Sequence, residues 1–195
     1  MPEIERISAL AKEHGYPLHL DGARLWNAVV ASGISLKEYC APFDSASLCF
    51  SKGLGAPVGS IVVGTKEFIK RAHTYRKAYG GGTRQAGILA AAALHALEYN
   101  FPLLADDHRR ARFFAESINQ IDGIAVNLST VQTNLVIFNI DADLMSPAEL
   151  VEKLGAAGVM MFPFGPTQVR AVFHLHIGDD DGDYAIAAFR EQVRR

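Results

Sequence analysis

The chain has 195 residues, 49% of them hydrophobic and 21% charged, with a formal net charge of -2. That is enough for one large or two small domains with real cores, and the composition is that of a soluble globular protein rather than a disordered one. The charge and the lack of a basic block speak against a nucleic-acid surface, and no apolar run approaches the roughly 18 residues that would span a bilayer.

Met1-Pro2-Glu3-Ile4-Glu5 does not read as a secretory signal. Cys40 and Cys49 are too few and too unpatterned for a disulfide framework or a zinc site, which makes a reducing cytoplasm the default. Ile4, Ile7, Leu10 and Ala11 recur at helical spacing over residues 3–14, and Gly15 is a natural stop. Residues 16–21 then read as a short strand with Asp21 at its carboxyl end. A second helix runs from Gly22-Ala23-Arg24 to about Ser32, and Ser35 with Glu38 makes a capping box for a third. Residues 47–51 form an apolar run compact enough for a buried strand with Lys52 at its end, and 60–63 form the next strand.

Lys52 stands between that apolar run and glycines at 53, 55 and 59. Desolvation or cationic neighbours at such a position lower an ammonium pKa and make the amine a nucleophile for Schiff-base chemistry. A merely solvated lysine at a strand end is the competing reading. Strand–helix alternation argues for an α/β sheet covered by helices, where ligands gather beyond the carboxyl ends of the strands. Asp21 and Lys52 both fall there. Gly53 and Gly55 do not complete a dinucleotide fingerprint, because Val58 stands where the third glycine belongs.

From Thr65 a helix carries Phe68, Ile69, Ala72, Tyr75 and Tyr79 on one side among many basic residues. Gly80-Gly81-Gly82 ends it, and Thr83 is expected to cap a long alanine-rich helix reaching Asn100. The glycine run, flanked by Lys77 and Arg84, reads equally as an anion cradle at a helix start or as a flexible connector. The next helix, over 103–118, bears Asp106-Asp107-His108-Arg109-Arg110, read as a solvated face. Strands are expected near 124–128, 134–140, 159–162 and 169–177. Ser146-Pro147-Ala148-Glu149 is a helix start, and a last helix is expected from about Asp183. Asp179-Asp180-Asp181 fails the calcium-loop pattern, since Arg190 replaces the required glutamate, and helix capping explains these aspartates better. His174 and His176 would share a strand face but lack a third ligand, so no metal is expected. The two halves divide near residue 100.

A carboxylate and a lysine converging at one sheet end suit pyridoxal phosphate, whose aldehyde needs an amine and whose ring nitrogen needs a carboxylate. Four segments sharpen this: His19-Leu20-Asp21-Gly22-Ala23-Arg24; Phe43-Asp44-Ser45-Ala46-Ser47; Ser51 through Ser60 around Lys52; and Arg76-Lys77 with Gly80 through Gly87. In order and spacing they resemble the L-threonine aldolase family, fold-type-I pyridoxal-phosphate enzymes of the β-eliminating lyase superfamily. The resemblance implies that residues 1–100 are the C-terminal part of a cofactor-binding large domain, an aminotransferase-like sheet covered by helices. Residues 101–195 would be the small α+β C-terminal domain.

By the same resemblance, Lys52 would carry the cofactor's Schiff base, Asp21 would pair with the pyridine nitrogen, and Arg24 would lie near the ring and the substrate carboxylate. Arg170 would grip that carboxylate bidentately, and Lys77 and Arg84 would approach a neighbouring subunit's cofactor in a dimer or tetramer. The implied reaction splits L-threonine or L-allo-threonine into glycine and acetaldehyde. The resemblance begins partway into the expected large domain, with a portion on the order of a hundred residues or more unmatched. The family's phosphate cradle and ring-stacking histidine belong there, so this chain by itself is expected to bind cofactor poorly and to need a complementing N-terminal segment. A β-eliminating lyase acting on another amino acid, or a non-catalytic remnant serving as an oligomerisation module, are the alternatives.

Overall fold

The computed structural model describes residues 1–193. The chain forms two compact units, Met1–Pro102 and a second beginning at Leu103. The first opens with helix α1 (Pro2–Glu13), strand β1 (His19–Gly22), helix α2 (Leu25–Ser32) and short helix α3 (Leu36–Cys40). Ser35 caps α3 with the expected box: its hydroxyl accepts the Glu38 N–H while the Glu38 carboxylate accepts the Ser35 N–H at 3.0 Å. Strands β2 (Ser45–Cys49) and β3 (Ser60–Gly64) complete a three-stranded sheet ordered β1-β2-β3. β1 and β2 are parallel, with Asp21 opposite Ser47, and β3 returns antiparallel to β2.

Small residues let β1 and β2 approach. A Cβ on Gly22 would meet the Ser47 carbonyl oxygen at 2.8 Å, so only glycine fits that close crossing. Ala46 and Leu48 of β2 are buried against Leu25 of α2, the small core beneath the sheet. The expected strand over 47–51 is displaced toward the N-terminus. It pairs only as far as Cys49: the Phe50 N–H still bonds to the in-register Gly59 carbonyl at 3.0 Å, but the Phe50 carbonyl turns to accept the Ala56 N–H at 3.0 Å and closes a loop. Lys52 therefore sits in a turn beyond the strand rather than at its last residue.

Helix α4 (Lys66–Ala78) is capped by Thr65, whose hydroxyl accepts the Phe68 N–H. Thr83 is not a cap. Helix α5 (Gly87–His95) starts from Ala86, and its axis continues as one π turn (Ala96–Asn100) rather than as regular α-helix. The glycine run belongs to the end of α4: Gly80 and Gly81 donate to the Lys77 and Arg76 carbonyls. Those N–H groups are spent closing a helix C-terminus, where the dipole disfavours anions, so the cradle reading fails.

The second unit contains helix α6 (Leu104–Ile118), strands β4 (Ile124–Val126) and β5 (Leu135–Ile140), helix α7 (Pro147–Ala156), strands β6 (Phe162–Pro163) and β7 (Gln168–Val172), and helix α8 (Asp179–Gln192). Its sheet runs β4-β5-β7-β6, antiparallel throughout. Alternation places Val136, Phe138 and Ile140 of β5 and Val169 and Ala171 of β7 on the buried face. Phe189 of α8 meets Phe114 and Phe138 edge-on, with ring centroids 5.7 and 5.4 Å apart, which locks α6, α8 and the sheet around one core.

The sheet strands here are shorter than expected. β7 ends at Val172: the Phe173 N–H still bonds to the carbonyl of its in-register neighbour Asn134 at 2.9 Å, but the Phe173 carbonyl accepts the Asn134 side-chain amide at 2.7 Å. His174 and His176 consequently do not share a strand face; their rings meet edge-on instead. The run expected as a strand over 159–162 contributes only β6. Helix α8 begins before Asp183, at Asp179, and Asp181 accepts the Gly178 N–H at 2.8 Å. No group of three or more His, Cys, Asp or Glu among the described residues could hold a metal ion. No single helix among them is long and apolar enough to cross a membrane.

Candidate active site

The parallel pairing of β1 and β2 brings their carboxyl ends side by side. From the first end comes Asp21, exposed, whose Oδ1 accepts the Ala23 N–H at 3.1 Å and so braces the turn into α2. Arg24, half-buried, occupies the N-cap position of α2. From the second end comes the loop that carries Lys52, whose side chain is exposed. Its backbone is closed by the Gly55 N–H on the Lys52 carbonyl at 2.8 Å and the Ala56 N–H on the Phe50 carbonyl at 3.0 Å. Gly55 and Gly59 have φ of 70° and 121°, which a residue with a Cβ rarely adopts. The Asp21 carboxylate, the Arg24 guanidinium and the Lys52 amine thus belong to residues at or shortly after the carboxyl ends of two adjacent parallel strands.

Two further side chains hold this loop, and sequence reasoning passed over both. Trp26 of α2 donates from its indole N–H to the Cys49 carbonyl at 3.0 Å, and Asn100 donates from its amide to the Leu54 carbonyl at 2.8 Å. Lys77, in the last turn of α4, and Arg84 are exposed. They lie in the last turn of α4 and in the connection to α5, not at the strand ends near Asp21 and Lys52.

Arg170 belongs to the second unit, on the face of β7 opposite the core, paired in register with Ile137 and Phe162. Its guanidinium carbon lies 5.8 Å from the Phe162 ring centroid and 5.6 Å from that of Phe164, both cation–π distances. Its Nε is buried without a hydrogen-bond partner. The aromatic pair was not singled out in the sequence, although Phe162-Pro163-Phe164 places two rings at strand spacing.

In the same unit Asp107 of α6 is buried, against the expectation of a solvated face. Burial pushes its carboxyl up to about 6, only partly offset by Arg110, whose Nη1 is 3.8 Å away. Asp179 accepts from both Arg109, at 2.7 Å, and Arg110, at 2.9 Å. These hydrogen bonds hold the Asp179 carboxyl below its usual range.

Residues 1–141 match the family model described as beta-eliminating lyase. The chain belongs to the beta-eliminating lyase family. It is 42% identical over 190 residues to low-specificity L-threonine aldolase 1 of Arabidopsis thaliana, a match covering 97% of this chain and 53% of the relative. Among solved structures it superposes on threonine aldolase of Leishmania major with TM-score 0.80 at 20% identity, covering 99% of this chain and 56% of the other. It also superposes on ornithine aminotransferase of Toxoplasma gondii, a structure with partial pyridoxal phosphate occupancy in its active site. There the TM-score is 0.67 at 18% identity, over 97% of this chain and 46% of the other. These two likenesses establish an α/β fold shared with a threonine aldolase and an aminotransferase. The chain spans about half the length of the curated relatives it matches.

Proposed function

We propose that this chain is the lysine-bearing portion of a pyridoxal-phosphate-dependent aldolase that cleaves β-hydroxy-α-amino acids such as L-threonine or L-allo-threonine to glycine and an aldehyde. The observation that carries the reading is the parallel β1–β2 pair, whose carboxyl ends hold Asp21 and lead into the turn that carries Lys52. Membership of the beta-eliminating lyase family and the identity to a low-specificity L-threonine aldolase support it.

The donor set suits the cofactor: an exposed amine for its aldehyde, an exposed carboxylate for its ring nitrogen, and guanidinium groups for anions. Lys52 would hold pyridoxal phosphate, and Asp21 would keep a proton on the ring nitrogen. Arg24 would lie near the ring and the substrate carboxylate, which Arg170 would grip through its fork. Bound pyridoxal phosphate supplies an electron sink for the pair released when the Cα–Cβ bond breaks. The carboxylate of Asp21 keeps that proton in place as charge develops, while Arg170 orients the substrate so that the breaking bond is the one to Cβ. In this reading residues 1–100 are part of the large domain and 101–195 the small one. Lys77 and Arg84 reach a second subunit's cofactor in a homo-oligomer, and two free cysteines suit a reducing cytoplasm.

The test is product analysis on the protein that carries this chain within the length of its curated relatives. Glycine and acetaldehyde from L-threonine are expected, with loss of both in Lys52→Ala. A 2-oxo acid with ammonia would mark a β-eliminating lyase instead, and no product with any β-hydroxy amino acid would leave the remnant reading.

A further inference from the structure

The loop that carries Lys52 is anchored from outside at two points that bracket the lysine. On the N-terminal side the Cys49 carbonyl accepts the Trp26 indole N–H at 3.0 Å, and the Trp26 ring stacks on Phe50 with centroids 6.1 Å apart. On the C-terminal side the Leu54 carbonyl accepts the Asn100 amide at 2.8 Å, while Leu54 itself is buried. A third contact ties the two anchors together, because the Trp26 ring meets Phe101, the neighbour of Asn100, edge-on at 5.9 Å.

We propose that Trp26 and Asn100 are positioning residues that fix the backbone on either side of Lys52 and thereby hold its amine toward the Asp21 edge. The proposal rests on the reading of Lys52 as the cofactor lysine. Strand β2 ends at Cys49, so the ladder no longer restrains the chain where the lysine sits, and a glycine-rich loop left to itself would spend its freedom in many conformations. Side-chain donors on the Cys49 and Leu54 carbonyls replace the missing ladder. Trp26 is also well placed to relate the two functional turns, because it lies in the first turn of α2, directly after the turn that holds Asp21 and Arg24. One indole therefore spans from the carboxylate-bearing turn to the lysine-bearing one.

The π turn gives Asn100 its reach. The Phe101 N–H bonds back to the Ala96 carbonyl at 3.0 Å, five residues earlier, so the last turn of the α5 axis is wider than α-helix and re-aims the residues at its end. Such turns are uncommon and are often found at functional sites. A regular α-helical continuation would rotate Asn100 away from the direction in which it now meets Leu54.

The experiment uses the protein that carries this chain within the length of its curated relatives, with Trp26→Phe, which keeps an aromatic ring and removes the donor, and Asn100→Asp, which keeps the size and replaces the amide donor by an acceptor. Hydrogen exchange is followed at the Phe50, Gly55 and Ala56 amides, the donors that close the loop. In parallel, the amines are trapped with pyridoxal phosphate and borohydride, and the share of label on Lys52 is compared with that on exposed Lys66 and Lys70. One net hydrogen bond corresponds to roughly a 2- to 10-fold change in a local opening equilibrium. Both variants are therefore expected to speed loop exchange and to lower the Lys52 share by about that factor, with exchange in β5 and β7 unchanged. Unaltered loop exchange, or faster exchange with the wild-type Lys52 share, overturns the positioning role alone. If wild-type Lys52 is labelled no more than Lys66 and Lys70, the assignment of Lys52 as the cofactor lysine fails first, and the positioning role falls with it.

Discussion

Asp107 shows how one residue sets the pH response of its unit. Its carboxyl has a usual value of 3.8 and is pushed up to about 6 by burial, so the folded state holds a proton that the unfolded chain releases. A raised carboxyl value means that stability is undiminished below about pH 4, falls as pH rises through 6, and stays lowered above it. With about 1.4 kcal/mol per unit, the full effect is at most about 3 kcal/mol. Asp179 acts in the opposite sense, because its carboxyl is held low by Arg109 and Arg110. Comparing wild type with Asp107→Asn removes that background. Urea titrations should find the two equally stable near pH 4 and the variant more stable near pH 7.5; equal stability at both would show that Asp107 pays no desolvation cost.

Between elements, the close approach of β1 to β2 decides whether the strand ends near Asp21 and Lys52 lie side by side. The point of closest approach is Gly22, where an added Cβ would meet a backbone oxygen of β2 at 2.8 Å. Backbone cannot step aside as a flexible side chain can, so Gly22→Ala should cost about 1–3 kcal/mol, typical of overpacking. A urea midpoint lowered for unit 1, together with a smaller Lys52 share of pyridoxyl label, is the expected pair of results. An unchanged midpoint would mean that the strands part without cost.

Much of this element-level structure was legible in the sequence, because its signals are local. The Ser35–Glu38 box and the Ser146 cap each declare themselves within a few residues, whereas the helix expected from Gly22 begins only at Leu25, because Gly22 is the last residue of β1. What was not legible depends on partners distant in sequence. β7 stops at Val172 because the Asn134 side-chain amide takes the Phe173 carbonyl, and Asp107 is buried by elements that its own helix does not reveal. Lys52 and Asp21 could be picked out by chemistry and strand position. Trp26 and Asn100 could not, since their function lies in carbonyls 23 and 46 residues away.

Across the whole molecule the two units differ in how their apolar residues are spent. The second gathers Phe114, Phe138, Phe189, Leu150, Leu154 and Val169 into one core, each at 1% exposure or less. The first keeps a small core around Leu25, Ala46 and Leu48, and leaves Tyr79 and Ile88 exposed at 85% and 79%. Apolar surface removed from water stabilises at roughly 25 cal/mol for each Å², so the larger core favours the second unit. Native-state hydrogen exchange should therefore rank the β5 and β7 amides, such as Val136 and Val169, as slowest. The Leu48 and Ile61 amides of the first sheet should exchange at lower opening free energy. Leu150→Ala should lower protection in the second unit, with a cost in the range of about 2–5 kcal/mol for a fully buried leucine. Equal protection of both sheets would mean that the first unit draws stability from something other than its own core.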